Sequence, residues 1–281
     1  MQFAFKFPTL IGLDSQDGLV SIEKFKKDEI WFFLGDIHGD PECLKWAFRY
    51  IQNFKGFRLC LLGDVFDRGD DEADCFEMIL RFSNEYHGQV MWLAGNHDRP
   101  IGENHTKTGW PSELIDLRNE LMPRLPFMAL FSDGMIAMHG GPTSTARLRR
   151  EKCQKLLITP KTRRLTQQSR FVDFKDSEED ADHEHWFDAD DLMAFVNLLK
   201  LTSPPRTLIR GHDHPLEGYR LYSNPSGIKI LTLLGSSKIG VQFMPEQHRD
   251  WTTLAQLDMS GQLVAKKVFC SKQHPVFKSS I

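Results

Sequence analysis

The chain contains no CxxC pair, and its five cysteines, Cys43, Cys60, Cys75, Cys153 and Cys270, are scattered and odd in number. That spacing excludes a thiolate zinc knuckle and a disulfide framework, and it fits a reducing cytoplasm. No uncharged apolar run approaches the ~20 residues of a membrane-spanning helix. The opening MQFAFKFPTLIGLDSQDGL lacks the basic start, long apolar core and small-residue cleavage site of a signal peptide, so neither export nor membrane insertion is expected. There is no internal repeat, no Pro/Gly/Ser-rich linker and no basic stretch interleaved with aromatics. With 35 basic against 38 acidic residues and a formal charge of −3, no field over the whole surface recruits nucleic acid or an anionic membrane.

What is present is ordinary globular material. The 281 residues, 41% hydrophobic and 26% charged, suffice for a continuous core, and without a linker they read as a single domain, 1–281. Within it, 143–188 reads as an insertion or lid. It begins basic at Arg147, Arg149, Arg150, Lys152 and Lys155, passes Arg163 and Arg164, and turns acidic at Asp176 to Glu184.

Short apolar runs predict strands at Ile30–Leu34, Leu59–Leu62, Val90–Ala94, Met135–Met138, Thr207–Ile209 and Ile228–Leu234. Helical spacing lies between them, at Glu42–Asn53 behind Asp40-Pro41, which supply a cap and a first-turn proline, and at Glu72–Phe82. Apolar stripes through Leu114, Leu117 and Leu121, and through Leu192, Phe195, Val196 and Leu199, predict two more helices, Ser112–Leu121 and Asp190–Lys200. The alternation is that of an α/β domain. From Ile228 the text turns β-rich, with IKILTLLG, VQFM, WTTLAQLDM and LVAKKVF, and suggests a second sheet packed on the first.

The chemistry sits where strands end. Five motifs follow apolar runs in order: Gly35-Asp36-Ile37-His38-Gly39, Gly63-Asp64-Val65-Phe66-Asp67-Arg68-Gly69, Gly95-Asn96-His97-Asp98, His139-Gly140-Gly141 and Gly211-His212-Asp213-His214. One Asp or His near a strand end is usually a satisfied polar residue or a helix cap. Five such clusters bring carboxylates, imidazoles and an amide to the strand ends where open α/β sheets place ligands. Oxygen and imidazole donors suit Mn, Fe or Zn.

Taken together the motifs resemble the phosphoprotein phosphatases of the calcineurin-like metallophosphoesterases, whose signature runs GDxHG, GDxxDRG, GNH[DE], HGG and a later His. The resemblance covers Ile30 to Met138 and again about Asp190 to Gly240. It implies a four-layer αββα sandwich, two packed mixed sheets flanked by helices, with two divalent ions, Mn²⁺ first and Fe or Zn as alternatives. By the same resemblance Asp36, His38 and Asp64 hold one ion, and Asp64, Asn96, His139 and His212 hold the other, with Asp64 shared. Two cations ~3.5–4 Å apart lower the pKa of a shared water and neutralise phosphoryl oxygens. His97 is implied as the acid that protonates the leaving alkoxide, Asp67 as its orienting carboxylate, and Arg68 as a phosphate grip.

Several positions stay open. The family's second phosphate-binding arginine has no clear counterpart: Arg163, Arg164 and Arg99 are candidates without a good match. His214 is either a further ligand or a neighbour of the ligands, and His183 and His185 read as solvated. The segment ending at Gly240 carries no tyrosine where eukaryotic protein phosphatases have an aromatic-bearing loop, so the chain is more similar to bacterial or phage-type members. The implied substrate is phosphoserine or phosphothreonine protein, with phosphotyrosine or a small phosphoester allowed. The rivals are a symmetrical dinucleoside tetraphosphatase, which typically lacks the acid that Asp67 supplies here, and an inactive metal- or phosphate-binding scaffold.

Overall fold

A computed structural model describes residues 6–15, 18–22, 28–69, 71–102, 109–132, 134–142, 173–174, 186–198, 206–237, 251–257, 262–269 and 278–280. Among these the order is β1 (Leu19–Ile22), β2 (Ile30–Leu34), α1 (Pro41–Ile51), β3 (Phe57–Leu61), α2 (Glu72–Glu85), β4 (Val90–Trp92), α3 (Ser112–Leu121), β5 (Met128–Phe131) and β6 (Met135–Met138). Then come β7 (Asp173–Phe174), β8 (Trp186–Phe187), α4 (Ala189–Leu198), β9 (Thr207–Arg210), β10 (Tyr219–Ser223), β11 (Lys229–Leu233), β12 (Trp251–Leu257), β13 (Leu263–Phe269) and β14 (Lys278–Ser280).

The layers follow from alternation along β2. Successive side chains of a strand point to opposite faces, so an all-apolar IWFFL must be covered on both. Trp31 and Phe33 enter a core with Cys60, Leu62, Met91, Phe131, Leu231 and Leu233, between two six-stranded sheets. Phe32 and Leu34 point the other way, into the core under the helices with Leu44, Phe48, Phe76 and Leu117. A third core packs α4 through Leu192, Phe195 and Val196 on Ile136, Met138, Leu208 and Ile230. The result is helix, sheet, sheet, helix. Truncating Trp31, buried and edge-on to Phe131 with centroids 5.0 Å apart, should cost about 3–5 kcal/mol.

One sheet runs β14-β13-β12-β2-β3-β4 and the other β1-β5-β6-β9-β11-β10. In the first, β2, β3 and β4 are parallel; in the second, β6, β9 and β11 are. Parallel strands need crossovers, and α1 and α2 provide them in the first sheet. The α1 entry is as the sequence suggests, with the Asp40 carboxylate accepting from Cys43 N–H and Pro41 in the first turn. All six predicted strands and all four predicted helices are found within a few residues, with residues 199–200 of the last helix outside the described set.

The β-rich tail departs from expectation. It does not make a separate sheet: Lys229–Leu233 lies parallel to β9, whereas β12 pairs antiparallel with β2 in the opposite sheet, Leu254 facing Leu34. Periodicity identifies a strand but not its neighbour, and β12, buried on both faces, closes an edge that β2 would otherwise expose. The VQFM run, 241–244, lies outside the described residues. Unforeseen were β1, β5, β7, β8, β10 and β14, all short, with β10 an exposed edge.

The parallel strands β2, β3 and β4 and, in the facing sheet, β6 and β9 carry the five motifs just past their C-terminal ends. A bridge between Asp36 and Leu234, with Ser236 N–H donating to Asp36 O at 2.7 Å, stitches the two sheets at that rim. Among the described residues no helix is long and apolar enough to cross a membrane.

Candidate metal centre

The backbone at the rim is strained where the motifs are. Of seven described non-glycine residues with positive φ, five are His38, Asp64, Asp67, Arg68 and His212. Each such conformation costs on the order of 1–3 kcal/mol and persists only where its surroundings enforce it. Two glycines explain how carboxylates come so close to neighbouring turns. A Cβ on Gly95 would stand 2.1 Å from Asp64 Oδ1, and one on Gly211 would stand 2.3 Å from Asp36 Oδ1.

Asp64 is at the middle. Its Oδ1 accepts the His97 N–H at 2.8 Å, while Oδ2 lies 3.2 Å from His139 Nε2, 3.7 Å from His38 Nε2 and 4.0 Å from His97 Nε2. On one side, Asp36, His38 and His214 offer ligand atoms all within 4.8 Å of one another; on the other, Asp64, His139 and His212 do the same. Asn96 Oδ1 joins the second group, 2.9 Å from His139 Nε2 and 2.8 Å from His212 Nδ1.

Backbone carbonyls fix which imidazole nitrogens face inward. His38 Nδ1–H donates to Phe66 O at 2.8 Å and His139 Nδ1–H to Leu62 O at 2.9 Å, so each presents Nε2 to the cluster. His38 Nε2 is buried without a hydrogen-bond partner. A buried acceptor left that way costs about 1–3 kcal/mol unless something binds it.

Charge agrees. The Asp36 carboxyl is held below its ordinary range: burial would raise it, but the His214 hydrogen bond and the His139 and His38 imidazoles outweigh that. Asp64 is lowered too, burial being overcome by His139. Burial disfavours a proton on His139, yet Asp64, then Asp36 and Asp98, push it up to about 9. The pocket is thus an anionic nest that draws positive charge to its centre. With N and O donors, no thiolate and an unsatisfied ring nitrogen, the residues fit a pair of divalent ions.

Asp98, given no role by sequence reasoning, holds this nest in shape. Its buried carboxylate accepts from Asp64 N–H at 2.8 Å, Val65 N–H at 2.9 Å, Gly95 N–H at 3.0 Å and Trp92 Nε1–H at 3.1 Å. Burial, and then the Asp64 charge, push its pKa up. Asp40 does similar work, accepting from Ser237 N–H and Oγ–H at 2.8 and 2.7 Å besides capping α1. Arg210 is fully buried, donating to Gly140 O and to Asp213. Of these three, only Asp40 had a role assigned from sequence, as a cap, while Asp98 stood in the GNHD motif without one.

Towards solvent, His97 Nδ1 meets Asp67 Oδ2 at 2.8 Å, with side chains 19% and 26% exposed. Arg68 Nη1 lies 3.1 and 3.2 Å from the two ring nitrogens of His214. His214 Nε2 is 3.1 Å from Asp36 Oδ2, so the histidine that sequence alone left ambiguous stands in the Asp36 and His38 group. Arg99 is 66% exposed, 3.8 Å from Asp67. Arg163, Arg164, His183 and His185 lie outside the described residues. All nine expected site residues converge on this rim.

Two mixed sheets between helical layers, with this donor set on their shared strand ends, define a metallophosphoesterase. The calcineurin-like phosphoesterase family model matches residues 32–216, and the chain belongs to that family. A serine/threonine-protein phosphatase of Caenorhabditis elegans is 27% identical over 118 residues, 38% of this chain and 26% of that protein, so the chain matches about a quarter of that curated relative's length. Among solved structures, a protein serine/threonine phosphatase of Saccharomyces cerevisiae with similarity to human PP5 superposes with a TM-score of 0.65 at 15% identity, covering 92% of this chain and 85% of that one. A cold-active protein-tyrosine phosphatase of a psychrophilic Shewanella gives 0.57 at 14% identity, covering 95% and 85%. At such identities the structural likeness concerns the fold alone.

Proposed function

We propose that this phosphoesterase hydrolyses phosphate monoesters, with phosphoserine and phosphothreonine side chains of proteins as substrate and phosphotyrosine accepted as well. The observation that carries the reading is the 2.8 Å pair of His97 Nδ1 and Asp67 Oδ2, beside Asp64. Asp36, His38 and Asp64, joined by His214, would hold one ion, and Asp64, Asn96, His139 and His212 would hold the other. When bound, the two ions supply Lewis-acid stabilisation of phosphoryl oxygens and a water acidified to near neutral pH.

The remaining work falls to side chains. With Nδ1–H committed to Asp67, the His97 ring aims Nε2 at the reacting centre and delivers a proton to the departing alkoxide oxygen. Asp67 fixes the ring's orientation and stabilises the imidazolium before that transfer, while Arg68 offers two parallel N–H groups to the phosphoryl oxygens. An alkoxide needs that proton far more than a pyrophosphate-type leaving group does, which is why the pair favours esters of Ser and Thr.

Mn²⁺ as the ion fits the mixed carboxylate and imidazole donors. The buried thiols of Cys43, Cys60 and Cys75, none in a disulfide, support a reducing, cytoplasmic setting. The test is turnover, by protein loaded with Mn²⁺, of phosphoserine and phosphothreonine peptides beside a dinucleoside tetraphosphate. Preferential release of phosphate from the peptides is expected. Cleavage of the nucleotide alone overturns the substrate reading, and failure on every phosphoester would make the chain a binding scaffold.

A further inference from the structure

A partly open cavity lies beside His214. It measures about 660 Å³ and its walls are Phe174, Pro215, Leu216 and Tyr219, with His214 closing the end next to the candidate metal centre. That is the size range of sites that bury a small ligand or a large side chain. Leu216 is 48% exposed, one of two large hydrophobic residues left so open among the described residues. Phe174 comes from β7, inside the segment 143–188 that sequence alone read as an insertion.

The charged groups that share the lining are already engaged. Asp213 is held by Arg210 from within and by Arg220 at 3.5 Å from outside, and Glu217 pairs with Lys267 at 3.1 Å. What the cavity offers an incoming group is therefore ring and alkyl surface, with fixed charges at its rim. Apolar walls of this kind gain about 25 cal/mol per Å² of apolar surface that an occupant removes from water. A charged or strongly hydrated occupant would lose solvation there without a partner.

Position decides the occupant. Arg68 follows Asp67 in the chain and touches His214 at 3.1 Å, and His214 lines the cavity, so a phosphoryl group gripped by Arg68 has the cavity one side chain away. Consecutive Cα atoms of an extended peptide are ~3.8 Å apart, which brings a residue adjacent to the phosphorylated one over that mouth. Resting on the protein-phosphatase reading above, we infer that this cavity is a specificity subsite for an apolar, preferentially aromatic, side chain flanking the phosphorylated residue of a protein substrate. Phe174 and Tyr219 give a flanking ring edge-to-face and offset partners, and Leu216 closes over it.

The test uses the full chain loaded with Mn²⁺ and phosphothreonine peptides that differ at one position, Phe, Leu, Gly or Asp immediately before or after the phosphoresidue, with p-nitrophenyl phosphate alongside. On one of the two sides, kcat/KM for the Phe peptide should exceed that for Gly by about tenfold, mainly through KM, and Asp should be poorest. The readout is the Phe-to-Gly ratio, so a general loss of activity cancels. Leu216→Asp should bring that ratio below about twofold, and Leu216→Phe should keep it. A flat panel on wild type with phosphopeptides turned over, or an undiminished ratio in Leu216→Asp, overturns the subsite and leaves the phosphatase reading standing. Turnover of p-nitrophenyl phosphate with no phosphopeptide cleaved would sink both.

Discussion

The deep half of the site and its solvent-facing half are built by different means. Below, His38, His139, Asp64 and Asp36 are almost wholly buried and are positioned by main-chain groups: Phe66 O, Leu62 O and the N–H groups of His97 and His212. Above, His97 and Asp67 position each other by a side-chain pair with both partners partly in water. A main-chain hydrogen bond from a packed strand end cannot relax independently of the sheet, whereas a pair of side chains can. The deep half is a fixed cage, and the upper half can adjust as a substrate enters.

The sharpest way to break that contrast is to remove the residue both halves share. Asp64→Ala takes away the carboxylate that joins His139 and His212 in one candidate ligand group, lies 3.7 Å from His38 of the other, and accepts the His97 N–H. A loss of several kcal/mol of charge stabilisation corresponds to a fall in kcat/KM on the order of 10³-fold or more. Metal content by mass spectrometry should drop with it. If the variant keeps two ions and near-normal turnover, the cage is not organised around Asp64.

His97→Ala cuts only the upper half. Turnover of a phosphoserine peptide should fall ~10²–10⁴-fold, the usual range for a general acid. Turnover of p-nitrophenyl phosphate should fall much less, because nitrophenolate leaves without a proton. Metal content should be unchanged. An equal loss on both substrates, or a loss of metal, would assign His97 to the cage instead.

How much of this contrast was legible beforehand differs by residue. The strands before Asp36, Asp64, Asn96, His139 and His212 could be read because each is a short apolar run stopped by glycine or a polar cluster. The partner of β12 could not, since alternation says that Leu254 and Ala255 are buried without saying against which strand. His214 was ambiguous because the GHDH spacing permits a second ligand without requiring one; only the 3.1 Å approach to Asp36 settles which group it joins. Asp98 stood in the GNHD motif, but its role could not be read for another reason. Its partners are four N–H groups, three of them main-chain, and main-chain geometry has no residue-type signature.

Asp98→Asn tests whether the cage rests on that single carboxylate. Oδ2 receives three of the four N–H groups and Oδ1 the fourth, from Val65. An amide must therefore turn its NH₂ towards Val65, the less crowded side, and leave that donor without an acceptor. The loss of one buried hydrogen bond and of the charge on the others should lower stability by about 1–3 kcal/mol, partly offset because burial and Asp64 already disfavour that charge. Urea unfolding measures it. A variant as stable as the parent would show that the loops after β3 and β4 hold their shape without Asp98.

The smallest effect should come from Arg99→Ala, at the outer limit of the upper half. Its guanidinium is 66% exposed and 3.8 Å from Asp67, a separation at which an exposed ion pair typically contributes ~0.2–1 kcal/mol. A change in kcat/KM of no more than about fivefold follows, shrinking with added salt as the pair is screened. Arg68, by contrast, approaches His214, which stands with Asp36 and His38 and also lines the apolar cavity. If Arg99→Ala instead raised KM for phosphopeptides tenfold or more with kcat intact, Arg99 would be gripping phosphate beside Arg68. The boundary of the adjustable half would then move outward by one residue, and the role of Asp67 would be shared between orienting His97 and holding Arg99 in place.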